Sequence, residues 1–102
     1  MDMKQMMRQV QKMQAQLAKA QGEIKEMTYT ATAGGGMVEV TARGDNTIES
    51  LTINPEAVDP EDVEMLQDMV LAAVNEALAG VAEQGEAKLN SVTGGMNIPG
   101  MR

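Results

Sequence analysis

Lys4, Arg8 and Lys12 recur at every fourth residue, and Lys19 and Lys25 follow along the same segment. On a helix, side chains four apart stand about 6 Å from one another along one side, a ladder of positive charge that can meet successive phosphates of a polyanion. Contact of that kind is ionic and directed at a backbone. The 102 residues hold one Tyr and neither Trp nor Phe, so no set of rings is available to stack on bases. Such binding would be weakly sequence-specific. The plainest alternative is that these bases only solubilise a helix.

Other groups offer less. Asp59/Asp62 and Glu61/Glu64 could in principle share a proton or a hard cation, but no calcium-loop spacing accompanies them. Asp59-Pro60-Glu61-Asp62 has a simpler use as a helix start, with an Asp cap, Pro at the first helical position and acids favoured by the dipole. Gly34-Gly35-Gly36, Gly44 and Gly94-Gly95 match no phosphate-binding fingerprint and read as turns. The absence of Cys and His excludes disulfides, zinc sites, thiol catalysis, haem ligation and the usual general base. The expectation is a non-enzyme with no metal, no cofactor and no small-molecule substrate.

Charge is unevenly spread. Eight bases against 15 acids leave a net −7, which opposes generic binding to nucleic acid. Residues 1–21 nevertheless carry four bases against Asp2 alone, whereas residues 44–87 carry eleven acids and no base. A split of this kind hints at a partner for one half. A polyanion would have to be met by the N-terminal segment.

The elements that must position these charges follow from hydrophobic period. Met3, Met6, Val10, Met13, Leu17, Ala20, Ile24 and Met27 alternate in steps of three and four, the seam of a coiled coil or long packed helix over 3–27. The bases fall outside that seam, and Gln9, Gln14, Gln16 and Gln21 dominate its flanks. Met-rich seams are pliable, so the rest of the fold is needed to settle this helix. The period then changes to two. Residues 28–54 read as three short strands joined by Gly34-Gly35-Gly36 and Gly44-Asp45-Asn46, an antiparallel meander. Ile48 is out of phase with Leu51 and Ile53, which places a bulge near Glu49-Ser50.

A second helix is expected over 60–89 and a loose tail over 90–102, all within one domain spanning 1–102. Thirteen of the eighteen residues from Met65 to Ala82 are apolar, so this helix must be covered on more than one side. One three-stranded sheet covers one side. A symmetry mate is the simplest second cover, with Met65, Met69, Val70, Ala73, Val74 and Ala77 as the expected dimer interface. No unbroken run of about 18 apolar residues is present, and the first residues lack the apolar stretch of a signal peptide, so no membrane partner is expected. Cys-free composition suits a reducing cytoplasm.

Order and residues together resemble a known family. Met6-Met7-Arg8-Gln9-Val10-Gln11-Lys12-Met13-Gln14 precedes a Gly-rich hairpin into Met37-Val38-Glu39-Val40-Thr41. Ile53-Asn54-Pro55, Glu64-Met65-Leu66-Gln67-Asp68-Met69-Val70 and Ala72-Ala73-Val74-Asn75-Glu76-Ala77 follow, and then Ser91-Val92-Thr93-Gly94-Gly95-Met96 with Pro99-Gly100. Across nearly the whole chain this is similar to the bacterial YbaB/EbfC family of nucleoid-associated proteins. The resemblance implies an α+β fold of order α-β-β-β-α, with a three-stranded antiparallel sheet between long terminal helices and a tweezer-like homodimer. It also implies binding to double-stranded DNA that alters DNA shape, in a cytoplasmic protein associated with the nucleoid. The competing expectation is a non-enzymatic adaptor that docks helices of another protein through Met6, Met13 and Leu17.

Overall fold

The computed structural model describes residues 2–93. Element order is α1 (Met3–Glu26), β1 (Thr28–Ala33), β2 (Val38–Arg43), β3 (Ile48–Ile53), a 3-10 turn (Pro55–Ala57) and α2 (Val63–Thr93). This is the expected α-β-β-β-α order. The body is a rod of 72 × 25 × 16 Å.

The sheet is an antiparallel meander of order β1-β2-β3. Tyr29, Ala31 and Ala33 stand opposite Ala42, Val40 and Val38. On the other side of β2, Val38 and Val40 stand opposite Ile53 and Leu51. Thr41 then pairs with Ser50 but Ala42 with Ile48, so Glu49 is the extra residue of a bulge, where the phase of Ile48 placed it. The first hairpin turns through three successive glycines with φ of 63°, 68° and 93°, angles that cost side-chain-bearing residues steric strain. Thr30 and Thr41 share a cross-strand hydroxyl bond of 2.7 Å on the face away from the core.

The core lies between one face of the sheet and one stripe of α2. Ala31, Val38, Val40 and Ala42 meet Ala73, Ala77 and Val81. Small residues let the helix lie close to the strands. Gly80 completes the stripe, since a Cβ there would fall 2.3–2.6 Å from the Tyr29 ring. Burying each of Val38, Val40 and Val81 contributes roughly 1.5–3 kcal/mol.

Three boundaries differ from the sequence expectation. Helix α1 stops at Glu26, and Met27 is an extended cap whose N–H donates to Ile24 O. Helix α2 starts at Val63 and not at Pro60. Asp59 O accepts from Asp62 N at 2.9 Å, making a separate turn with Pro60 inside it. The cap proper is Asp62, whose Oδ1 accepts from Met65 N at 3.2 Å. At its other end α2 continues past Leu89, so residues 90–93 of the expected tail are helical. Ser91 and Thr93 hydroxyls donate to the carbonyls of Lys88 and Leu89, bonds that sit within a helix. The rest of that tail, 94–102, lies outside the described residues.

Among the described residues α2 is also long and apolar enough, by length and composition, to cross a bilayer. Asp68 and Glu76 interrupt any unbroken run, and its Ala73-Ala77-Val81 stripe is covered by the sheet.

Candidate nucleic-acid interface

Helix α1 leaves the body as an arm. Ile24 packs beside Gly44 and Gly85, and Gln16, Lys19 and Ala20 share a cleft with Ser91 and Val92 of α2. The two helices therefore run antiparallel where they touch. Ala20 is the one buried residue of α1, and every residue from Asp2 to Lys12 is exposed. Asp2 Oδ1 caps the start by accepting from Lys4 N at 3.2 Å.

Geometry on the arm follows from 3.6 residues per turn. Lys4, Arg8, Lys12 and Lys19 fall within a sector of about 80°, opposite the seam of Met6, Val10, Met13 and Leu17. Lys25 is rotated about 60° from Lys4 in the other sense, so four of the five expected bases share a side and the fifth does not. All five are exposed. Among the described residues none of the five makes an ion pair, while the two remaining bases do. Arg43 lies 3.6 Å from both Asp45 and Glu49, and Lys88 Nζ lies 3.2 Å from Glu23 Oε1. The turn at Asp45 is further tied by its bond from the Thr47 hydroxyl, which together with the Arg43 charge holds the Asp45 carboxyl below its ordinary value. Arg43 is thus committed to the β2–β3 corner, and among the described residues the unpaired bases are those of α1.

The expected dimer-interface residues separate into three environments. Ala73 and Ala77 are wholly buried against their own sheet and present no surface to a partner. Their small size, which reads as part of an apolar face, is what close packing on the strands requires. Met65 and Met69 lie on the hairpin side of α2, in a cleft with Gly34 and Met37. Val70 and Val74 line a different groove, of about 420 Å³, with Ile53, Leu66, Gln67 and Leu71. Ile53, Leu66 and Leu71 are not among the interface residues expected from sequence. Their signal was present in Ala73, Ala77 and Gly80, a run of small residues that fixes which side of α2 meets the strands.

Among the described residues no group of three or more acidic side chains is placed to hold a metal ion. Fold and surface together define a two-layer α+β domain with a basic helical arm. A sequence model of the YbaB/EbfC DNA-binding family matches residues 1–96, and the chain belongs to that family. A nucleoid-associated protein of Alkaliphilus metalliredigens is 51% identical over 100 residues, covering 98% of this chain and 88% of that one. One of Pelotomaculum thermopropionicum is 52% identical, covering 98% and 95%. The crystal structure of an uncharacterized Helicobacter pylori protein superposes with a TM-score of 0.67 at 26% identity, covering 85% of this chain and 91% of that one.

Proposed function

We propose that this chain is a nucleoid-associated protein of the bacterial cytoplasm, which grips the phosphate backbone of duplex DNA with the α1 arm and does so as a homodimer. The observation that carries the reading is the state of the bases: the five on α1 are exposed and free of ion pairs among the described residues, whereas Arg43 and Lys88 are neutralised by neighbours. Free, regularly spaced cations on a projecting helix suit a phosphate ladder. The names of the relatives, nucleoid-associated proteins, support the same reading.

Dimerisation is supported by the groove of Ile53, Leu66, Val70, Leu71 and Val74, an almost wholly apolar surface at the open edge of the sheet. Leu71 is 60% and Leu51 43% exposed in the single chain, side chains that water hydrates at a cost and a symmetry mate would cover. Two arms per assembly double the phosphate contacts. Replacing Lys4, Arg8 and Lys12 by Glu tests the site. Binding to a duplex should be abolished with the assembly intact, and unchanged binding would contradict the assignment.

A second reading has its own observation. Met3, Met6, Met7 and Val10 are 50–77% exposed, a pliable apolar surface suited to docking helices of another protein. Substituting Met6, Met13 and Leu17 by Gln would remove that activity, and the Glu substitutions above would spare it.

A further inference from the structure

The rod is electrically polar. Its free bases Lys4, Arg8 and Lys12 lie at the α1 tip. The opposite tip holds an open cleft of about 410 Å³ lined by Met37, Met65 and Met69 and edged by the exposed Glu56, Asp59 and Asp62. The three carboxylates make no ion pair among the described residues, and no base occurs anywhere in 44–87. Arm and cleft are complementary in both respects that matter. One is a helix bearing exposed Met3 and Met7 beside Lys4 and Arg8, and the other is a thioether-lined recess edged with carboxylates.

They cannot meet within one chain. From Arg8 to the packing point at Ile24 the arm runs about 24 Å, and from Gly85 back to Asp62 helix α2 runs about 34 Å in the other direction. The cleft also lies apart from the apolar groove: Met65 and Met69 project from the hairpin side of α2, roughly 120–160° around the helix from Gln67 and Leu71. A contact there leaves the groove open to a symmetry mate.

We propose that the α1 arm of one copy docks in the Met-lined acidic cleft of a second copy, a head-to-tail contact that joins chains into open assemblies and that DNA competes away by taking the same bases. Head-to-tail contacts of this kind do not close on themselves unless the rotation happens to make a ring. The competition clause rests on the proposed DNA contact of Lys4, Arg8 and Lys12; the self-association does not.

Sedimentation velocity of the full chain tests it, at about 50 mM salt and at about 1 M, where screening shortens to ~3 Å. The expected result is a mass that rises with protein concentration at low salt, above the mass shown at high salt. Glu56→Lys should weaken that growth on the order of tenfold or more, because it sets a base against the incoming arm. Arg8→Glu should do the same, and the double variant Arg8→Glu/Glu56→Lys should recover it. A 30-base-pair duplex, long enough at about 3.4 Å per pair to span an arm, should dissolve the wild-type assembly. Growth unaffected by either single substitution, or equal mass at both salt concentrations, overturns the contact. Glu56→Lys also separates the two readings, since it should weaken head-to-tail growth while leaving the dimer and its DNA binding intact; DNA binding by a wild-type dimer that grows no further would leave the proposed function standing and this contact refuted.

Discussion

Lys88 Nζ of α2 lies 3.2 Å from Glu23 Oε1 of α1, an ion pair that joins the helices where the arm leaves the body. The pair is one-third to one-half exposed, so its worth is under about 1 kcal/mol. It also takes Lys88 out of the pool of free cations. Lys88→Met should therefore lower stability by less than about 1 kcal/mol and leave duplex affinity unchanged, readable from urea melts and a binding titration. A large affinity loss would mean that the basic surface extends beyond the arm.

Gly80 is a point of close approach between α2 and the sheet. Any side chain there must displace the Tyr29 ring, which is held between sheet and helix. Gly80→Val should cost on the order of 3 kcal/mol or more through overpacking. Tyr29→Ala added to Gly80→Val should recover part of that loss, which a double-mutant cycle measures.

At the start of α2, Asp62→Ala removes the bond to Met65 N and should cost roughly 0.5–2 kcal/mol. Asp59→Ala should cost less, because Asp59 closes a turn outside the helix. Equal losses at the two positions would restore Asp59 as the cap.

The groove predicts a charge-sensitive assembly. Leu71→Glu places a carboxylate among Ile53, Leu66, Val70 and Val74 without touching the buried stripe, so the chain should stay folded by circular dichroism and run as a monomer at about 1 M salt, where the head-to-tail contact is screened. A variant that still runs at the wild-type mass would locate the interface elsewhere.

The element order was legible because the hydrophobic period changes cleanly, from 3.5 along Met3–Met27 to 2 along Met37–Arg43. The bulge at Glu49 was legible too, since Ile48 breaks the alternation that Leu51 and Ile53 keep. Helix phase was not legible in α2. With apolar residues nearly all round, period alone cannot say that Ala73 and Ala77 meet the sheet while Leu71 faces outward; side-chain size decides it, because only small residues allow the helix to approach the strands. The start of α2 differs from the sequence expectation for a related reason. Asp59-Pro60 and Asp62 both carry start signals, and the bond from Met65 N selects the second. The basic arm was legible as a ladder, but its freedom from ion pairs depends on Glu23 reaching Lys88 and Asp45 and Glu49 reaching Arg43, contacts that form only in the fold.

The Asp45 carboxyl, held low by the Thr47 hydroxyl, sets a weak acid dependence of the β2–β3 corner. Its folded value lies below the unfolded one, so its contribution is present above the unfolded value near about 3.9 and lost as pH falls through the folded value. Asp45→Asn should remove that part of the acid slope in thermal melts run below about pH 5.

The phosphate ladder on α1 is tested most directly by the salt dependence of duplex binding, compared between the wild-type chain and Lys12→Gln. Each phosphate contact removed should lower the slope of log K against log salt by about 0.9, with two arms doubling the change to about 1.8. A fall in slope of that size, with affinity lost evenly across duplexes of different sequence, is the predicted result. An unchanged slope would contradict the account, because it would mean that Lys12 releases no counterion on binding and that DNA is held by another surface.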